Sequence, residues 1–128
     1  MTKNSVTPLA GGNVVSHPAA ANYDRRWLVV DGSHNWISDA DLLSKINVSI
    51  RFGHLVLQAD GMLRLDLPLD VIEDDDSVRC TVSVGSQRVD AVDEGDVASV
   101  WLTACLRQTA RLVKVHPDAP PVQWPANP

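Results

Sequence analysis

The sequence predicts a mainly β fold, a small β-barrel of seven to nine short strands with one late α-helix at about residues 93–107. Three observations carry that expectation. Apolar residues recur at every second position in several short stretches, the period of a strand with one buried face. Gly, Asp and Asn cluster between those stretches, as hairpin turns require. Near residue 93 the apolar period lengthens to that of a helix. So many short strands would leave exposed edges, and closure of the sheet removes them.

The elements follow in order. Residues 1–13 are rich in small and polar types and read as a flexible lead-in, with Gly11-Gly12 as a turn. The domain is expected over residues 14–116. Trp27-Leu28-Val29-Val30-Asp31 is a strand with charge at its mouth, followed by a turn at Gly32-Ser33-His34-Asn35 and a return strand from Trp36 to Ser38. Residues 39–45 form one helical turn capped by Ser38 or Asp39. Ile46, Val48, Ile50 and Phe52 alternate as a half-buried strand, and Gly53-His54 turns into Leu55-Val56-Leu57. Asp60-Gly61 is a hairpin signal, after which Leu63, Leu65 and Leu67 alternate again. Residues 70–76 are an acidic loop. Val78, Cys80, Val82 and Val84 share a strand face, Gly85-Ser86 turns, and residues 88–92 return. Val97, Val100, Trp101, Ala104 and Cys105 then fall on one helix face, with Asp93 or Glu94 as cap and Arg107 at the far end. Residues 111–116 supply the last strand. The final 12 residues hold five of the eight prolines, so residues 117–128 read as an extended tail that cannot pair as a central strand.

Composition narrows the function. A net charge of −5 excludes the basic footprint of a nucleic-acid binder and the clustered lysines of a membrane-surface binder. No apolar run reaches the roughly 20 residues of a membrane span, and the N-terminus lacks the apolar stretch of a secretion signal, so the protein is expected in the cytoplasm. Cys80 and Cys105 are far apart and form no CxxC; two reduced, mostly buried thiols are the plain reading, with a disulfide or a metal or redox role as the alternatives. His17, His34, His54 and His116 match no metal-ligand spacing, and residues 73–76 lack the pattern of a calcium loop, so no metal site is expected. There is no nucleophile elbow, P-loop or dinucleotide fingerprint, and no residue is assigned a catalytic role.

Two features stand apart. Arg25 and Arg26 open the first long strand and alternate across it, so only one faces inward. Arg25 binds an anion through its planar fork, or else one arginine pairs with Asp24 or Asp31 and the other is solvated. Trp124 lies among prolines in the tail, where an exposed aromatic docks on a partner or packs back on its own barrel.

The stretch from Tyr23-Asp24-Arg25-Arg26-Trp27 to Val30-Asp31 resembles a signature of the MOSC N-terminal β-barrel domain family. Asp60-Gly61-Met62-Leu63-Arg64-Leu65 is similar to that family's hairpin. Val89-Asp90-Ala91-Val92-Asp93-Glu94-Gly95-Asp96 with Trp101-Leu102, and the exit strand Arg111-Leu112-Val113-Lys114-Val115, follow in the family's order. Together these cover about 90 residues. The family's barrel precedes the MOSC domain in molybdenum cofactor sulfurase C-terminal regions and in amidoxime-reducing proteins. The MOSC domain supplies the cysteine that ligates molybdenum or carries sulfur, and the 128 residues hold no such domain. By position Arg25 matches the family's cofactor-contacting arginine. The family's Tyr-Pro-(Ile/Val)-Lys-Ser-Cys segment has no counterpart here, and Asp39 and Asp41 stand where a cation is usual. The resemblance therefore implies a single-domain binding or accessory module, not an enzyme on its own. Its partner would be a separate MOSC-type or redox chain. No cofactor is called for by the chain's own residues. The alternative is a barrel that itself binds molybdenum cofactor, a molybdopterin-type molecule or another anionic small molecule through Arg25.

Overall fold

A computed structural model describes residues 5–16, 18–69, 79–116, 119–120 and 122–124. The strands are β1 (Ser5–Val6), β2 (Val15–Ser16), β3 (Trp27–Asp31), β4 (Asn47–Arg51), β5 (His54–Gln58), β6 (Leu65–Pro68), β7 (Arg79–Val84), β8 (Gln87–Asp93) and β9 (Ala110–Val115). A 3-10 turn covers Pro18–Tyr23, and two α-helices follow, α1 (Ala40–Leu43) and α2 (Asp96–Leu106). The fold is mainly β with one late helix, as the alternation of apolar residues requires.

β3, β9, β8 and β7 form one antiparallel sheet in that order, and β4, β5 and β6 form a second; β1 and β2 pair by themselves. Turn chemistry sets the registers. Val84 faces Gln87 across a two-residue loop whose first position, Gly85, sits at φ +62°, the geometry of a type II′ hairpin. The β5–β6 connection at Asp60-Gly61 is a longer loop, with Gly61 at φ +75°.

The two sheets enclose the main core. Trp27 and Val29 of β3, Leu112 of β9, Ile50 of β4, Leu55 and Leu57 of β5 and Leu65 of β6 meet there. α2 closes the core with Ala98, Trp101, Leu102 and Leu106, spaced at three and four residues. The opposite, outer face of the four-stranded sheet carries a second apolar layer. Leu28, Val30, Val82, Val84, Val89, Ala91 and Val113 lie in it, with Ala10. Four consecutive residues of β3 are therefore buried, which explains its unbroken apolar run.

Several expectations are corrected. α2 starts at Asp96 with Gly95 as its N-cap rather than Asp93 or Glu94, and Arg107 is its left-handed C-cap at φ +59°. Its buried face is turned from the one expected: Val97 and Val100 point to solvent. Phe52 is not a core residue; it is 98% exposed in the β4–β5 turn at φ +48°. Leu63 lies before β6 and is also exposed. The return stretch after β3 makes only isolated bridges, Val30 to Trp36 and Asn35 to Ser83. Asp39 does cap α1, accepting from the Asp41 and Leu42 amides, though the helix is confined to Ala40–Leu43. The lead-in is not separate from the domain, since Leu9 and Ala10 are fully buried and Ala10 N–H donates to the Trp27 carbonyl. The acidic loop, Val78, His17 and residues 1–4 lie outside the described residues.

Candidate functional site

Arg25 belongs to the turn ahead of β3, not to the strand. Its backbone is left-handed at φ +53°, a conformation that costs a non-glycine residue about 1 kcal/mol or more. The turn is fixed from the side. Thr7 N–H donates to Asp24 Oδ1 at 3.0 Å, Arg25 N–H donates to the Thr7 carbonyl at 2.8 Å, and Arg26 N–H returns to the Tyr23 carbonyl at 3.1 Å. These bonds aim the Arg25 side chain outward, where it is 47% exposed and 3.9 Å from Asp24. A pair so long and so wet contributes little, so the guanidinium keeps most of its capacity to bind an anion.

The structure brings Arg25 and Trp124 together. The guanidinium carbon lies 6.0 Å from the centre of the Trp124 ring, at the outer limit of a cation–π contact. Trp124 also meets Trp36 edge to face, with ring centres 5.1 Å apart. Trp36 is itself fixed by its indole N–H to the Ala10 carbonyl at 3.2 Å. The tail is held one residue earlier. Gln87 Nε2 donates to the Gln123 carbonyl at 2.7 Å, and Gln123 N–H donates to Gln87 Oε1 at 2.8 Å. Val122 and Trp124 both pack on the outer apolar layer of the sheet. Beside them is a cleft of about 270 Å³ lined in part by Arg25, Arg26, His116 and Trp124. Of the two outcomes open for Trp124, packing on its own barrel is the one observed.

A second group was not anticipated from the sequence. Arg111 on β9 donates Nε to Asp93 Oδ2 at 2.6 Å and Nη2 to Asp93 Oδ1 at 3.0 Å; Nη2 also reaches Asp96 Oδ1 at 2.9 Å. Asp93 additionally accepts Gly95 N–H at 2.7 Å. Burial alone pushes the Asp93 carboxyl up, but the Arg111 fork, the Gly95 amide and the positive charges of Arg111 and His34 outweigh it and hold it below the usual carboxylate range. The same fork to Asp93, then the bond to Asp96, raises Arg111 further above its ordinary value. Both helix-start aspartates are thereby tied to the last strand. Their signal in the sequence is an Asp-x-x-Asp at the helix start, and nothing local names Arg111 as the partner.

Cys80 lies in a cleft of about 380 Å³ with His34, Asp93 and Arg111. Cys105 lies in another of about 540 Å³ with Lys45, Met62 and Arg107. Both thiols are free and half-buried, and burial pushes both above the ordinary thiol value. Neither approaches the Arg25 cleft. His34, His54 and His116 are dispersed; His54 Nδ1 sits 3.0 Å from the carbonyl of Phe52. Among the described residues no three His, Cys, Asp or Glu side chains converge as a metal site would need, and no helix is long and apolar enough to cross a membrane.

Residues 7–109 match the family described as the MOSC N-terminal beta barrel domain. Molybdenum cofactor sulfurase of Danio rerio is 30% identical over 106 residues, which is 79% of this chain and 13% of that protein. The chain thus spans about one-eighth of the curated relative it matches. The solution structure of a protein from Bordetella bronchiseptica is 44% identical, covers 98% of each chain and superposes with a TM-score of 0.81.

Proposed function

The chain belongs to the MOSC N-terminal β-barrel domain family, and from that premise we propose that it is a non-catalytic binding or accessory module related to molybdenum-cofactor proteins. One observation carries the reading. Arg25, which the sequence resemblance sets at the family's cofactor-contacting position, and the tail tryptophan, 99 residues apart, line one cleft. The module's partner is a separate MOSC-type or redox chain. An aromatic and cationic cleft suits contact with a partner better than chemistry of its own.

Native affinity capture of the tagged full-length protein from its own source cells tests this, with mass spectrometry of what co-elutes. Enrichment of a MOSC-type or molybdenum protein with the tagged chain, and not with the tag alone, is the expected result. Turnover of a substrate by the isolated protein at an ordinary enzymatic rate contradicts it.

A second reading has its own support, the half-exposed and weakly paired Arg25 beside an aromatic face. In it the barrel binds a molybdopterin-type or other anionic small molecule. Arg25 and Arg26 line the cleft together with Asp24, so an anionic group there gains two cations against one carboxylate; no cysteine is among its described lining residues, so the cleft suits the phosphate end of such a molecule rather than a thiolate-bound metal. Arg25→Ala abolishes the binding on this reading, and unchanged affinity in that variant overturns it.

A further inference from the structure

We infer that the groove over the outer face of the four-stranded sheet is a receptor for an extended peptide segment of a partner protein, of the pattern apolar–x–Trp, and that residues 122–124 are its resident occupant. The inference rests on the binding-module reading above and names the kind of partner. The recognition chemistry is visible in the occupant. The Gln87 amide takes both the N–H and the carbonyl of Gln123, so it acts as one rung of a β-ladder. Such a fork reads main chain, and the central residue is free to vary. Val122 and Trp124 flank that rung at a spacing of two, which puts both side chains on one side of an extended segment. Both pack on the outer layer, while Gln123 is exposed. The indole is read from two directions, by the Trp36 ring edge to face and by the Arg25 guanidinium. Pro120, Pro121 and Pro125 bracket the segment in the sequence, and proline favours an extended backbone that needs no ladder of its own.

The occupant is also displaceable. Two exposed hydrogen bonds and two half-buried side chains hold it, and it pairs with no strand along its length. A tethered segment acts at an effective concentration on the order of millimolar. A segment in trans therefore competes only by binding more tightly, or once the tail is weakened.

The test uses the full-length Trp124→Ala variant, in which the indole is removed from the groove. The probe is the synthetic peptide Ala-Pro-Pro-Val-Gln-Trp-Pro-Ala-Asn-Pro, titrated while the Gln87 side-chain amide is followed by NMR. The variant is expected to bind the peptide at least about tenfold more tightly than the wild type, to lose that binding when Gln87→Ala is added, and to ignore a peptide with Ala in place of Trp. No binding to the variant, or binding that survives loss of Gln87, overturns the inference. Gln87→Ala in the otherwise wild-type chain gives a reading independent of how well Trp124→Ala folds. It is expected to move the Trp124 indole resonance toward its unstructured position, and an unmoved resonance counts against the groove. Dimerisation of the wild type by exchange of tails would overturn the partner in favour of a second copy of the chain. Affinity capture separates the levels, since a captured molybdenum-type partner with a failed titration removes this inference and leaves the binding module standing.

Discussion

The two faces of the four-stranded sheet are covered in different ways. On the inner face regular elements do the covering, namely the three-stranded sheet and α2. Trp27 shows the depth of that packing. It is fully buried, stacked on Tyr23, crossed by the Lys114 ammonium, and its indole N–H donates to Glu94 Oε2 at 2.7 Å. On the outer face an equally apolar layer is covered by short irregular segments, those around Ala10 and Trp36 and the tail residues Val122 and Trp124. The first arrangement can open only with the fold. The second can open by losing a few bonds. A layer that must be covered but is covered loosely is where a partner can exchange for the chain's own residues.

Substitutions on the two faces sharpen the contrast. Trp27→Ala removes the largest fully buried side chain and one hydrogen bond to Glu94, and is expected to cost about 3–5 kcal/mol in denaturant unfolding. A cost near that of a surface change would mean that the inner core is not where the stability lies. Between the faces in effect lies the Arg111 network. Asp93→Asn is expected to cost about 1.5–3 kcal/mol at neutral pH. Because the folded Asp93 carboxyl titrates below its ordinary value, its contribution is fully present above the unfolded value near 3.8 and is lost as pH falls through the lower, folded value. Unfolding measured against pH should therefore show a weaker acid limb in Asp93→Asn than in the wild type. Trp124→Ala is expected to cost only about 1–2 kcal/mol. A cost as large as that of Trp27→Ala would make the tail part of the core and break the comparison.

Much of this was legible in the residues. β3 falls where its run of Trp27, Leu28, Val29 and Val30 ends at Asp31, and β5, β7, β8 and β9 lie within about two residues of their patterns. The cap of α1 was legible as Ser38 or Asp39, since both side chains offer an oxygen to the first free amides, and Asp39 is the one that takes it. The face of α2 was not, because apolar residues surround that helix and only tertiary packing decides that Ala98 and Leu102 turn inward rather than Val97 and Val100. Asp93 read as a cap because aspartate serves equally as a cap and as a partner for a distant arginine. Arg25 read as a strand residue since nothing local signals its left-handed turn, which Thr7 stabilises from 18 residues away. Trp124 was singled out, but its neighbours were not. Proline composition reports that a segment is extended and is silent on which side chain, here Gln87, will satisfy its backbone.

Native-state hydrogen exchange tests the contrast most directly. The Gln123 amide, bonded to Gln87 Oε1, reports the outer cover, and the amides of the β3–β9 ladder report the core. Gln123 is expected to exchange through local opening, orders of magnitude faster than the ladder and with little dependence on denaturant. Exchange of Gln123 at the rate of the ladder, with the same denaturant dependence, would show that the tail leaves only when the barrel unfolds, and would contradict the account.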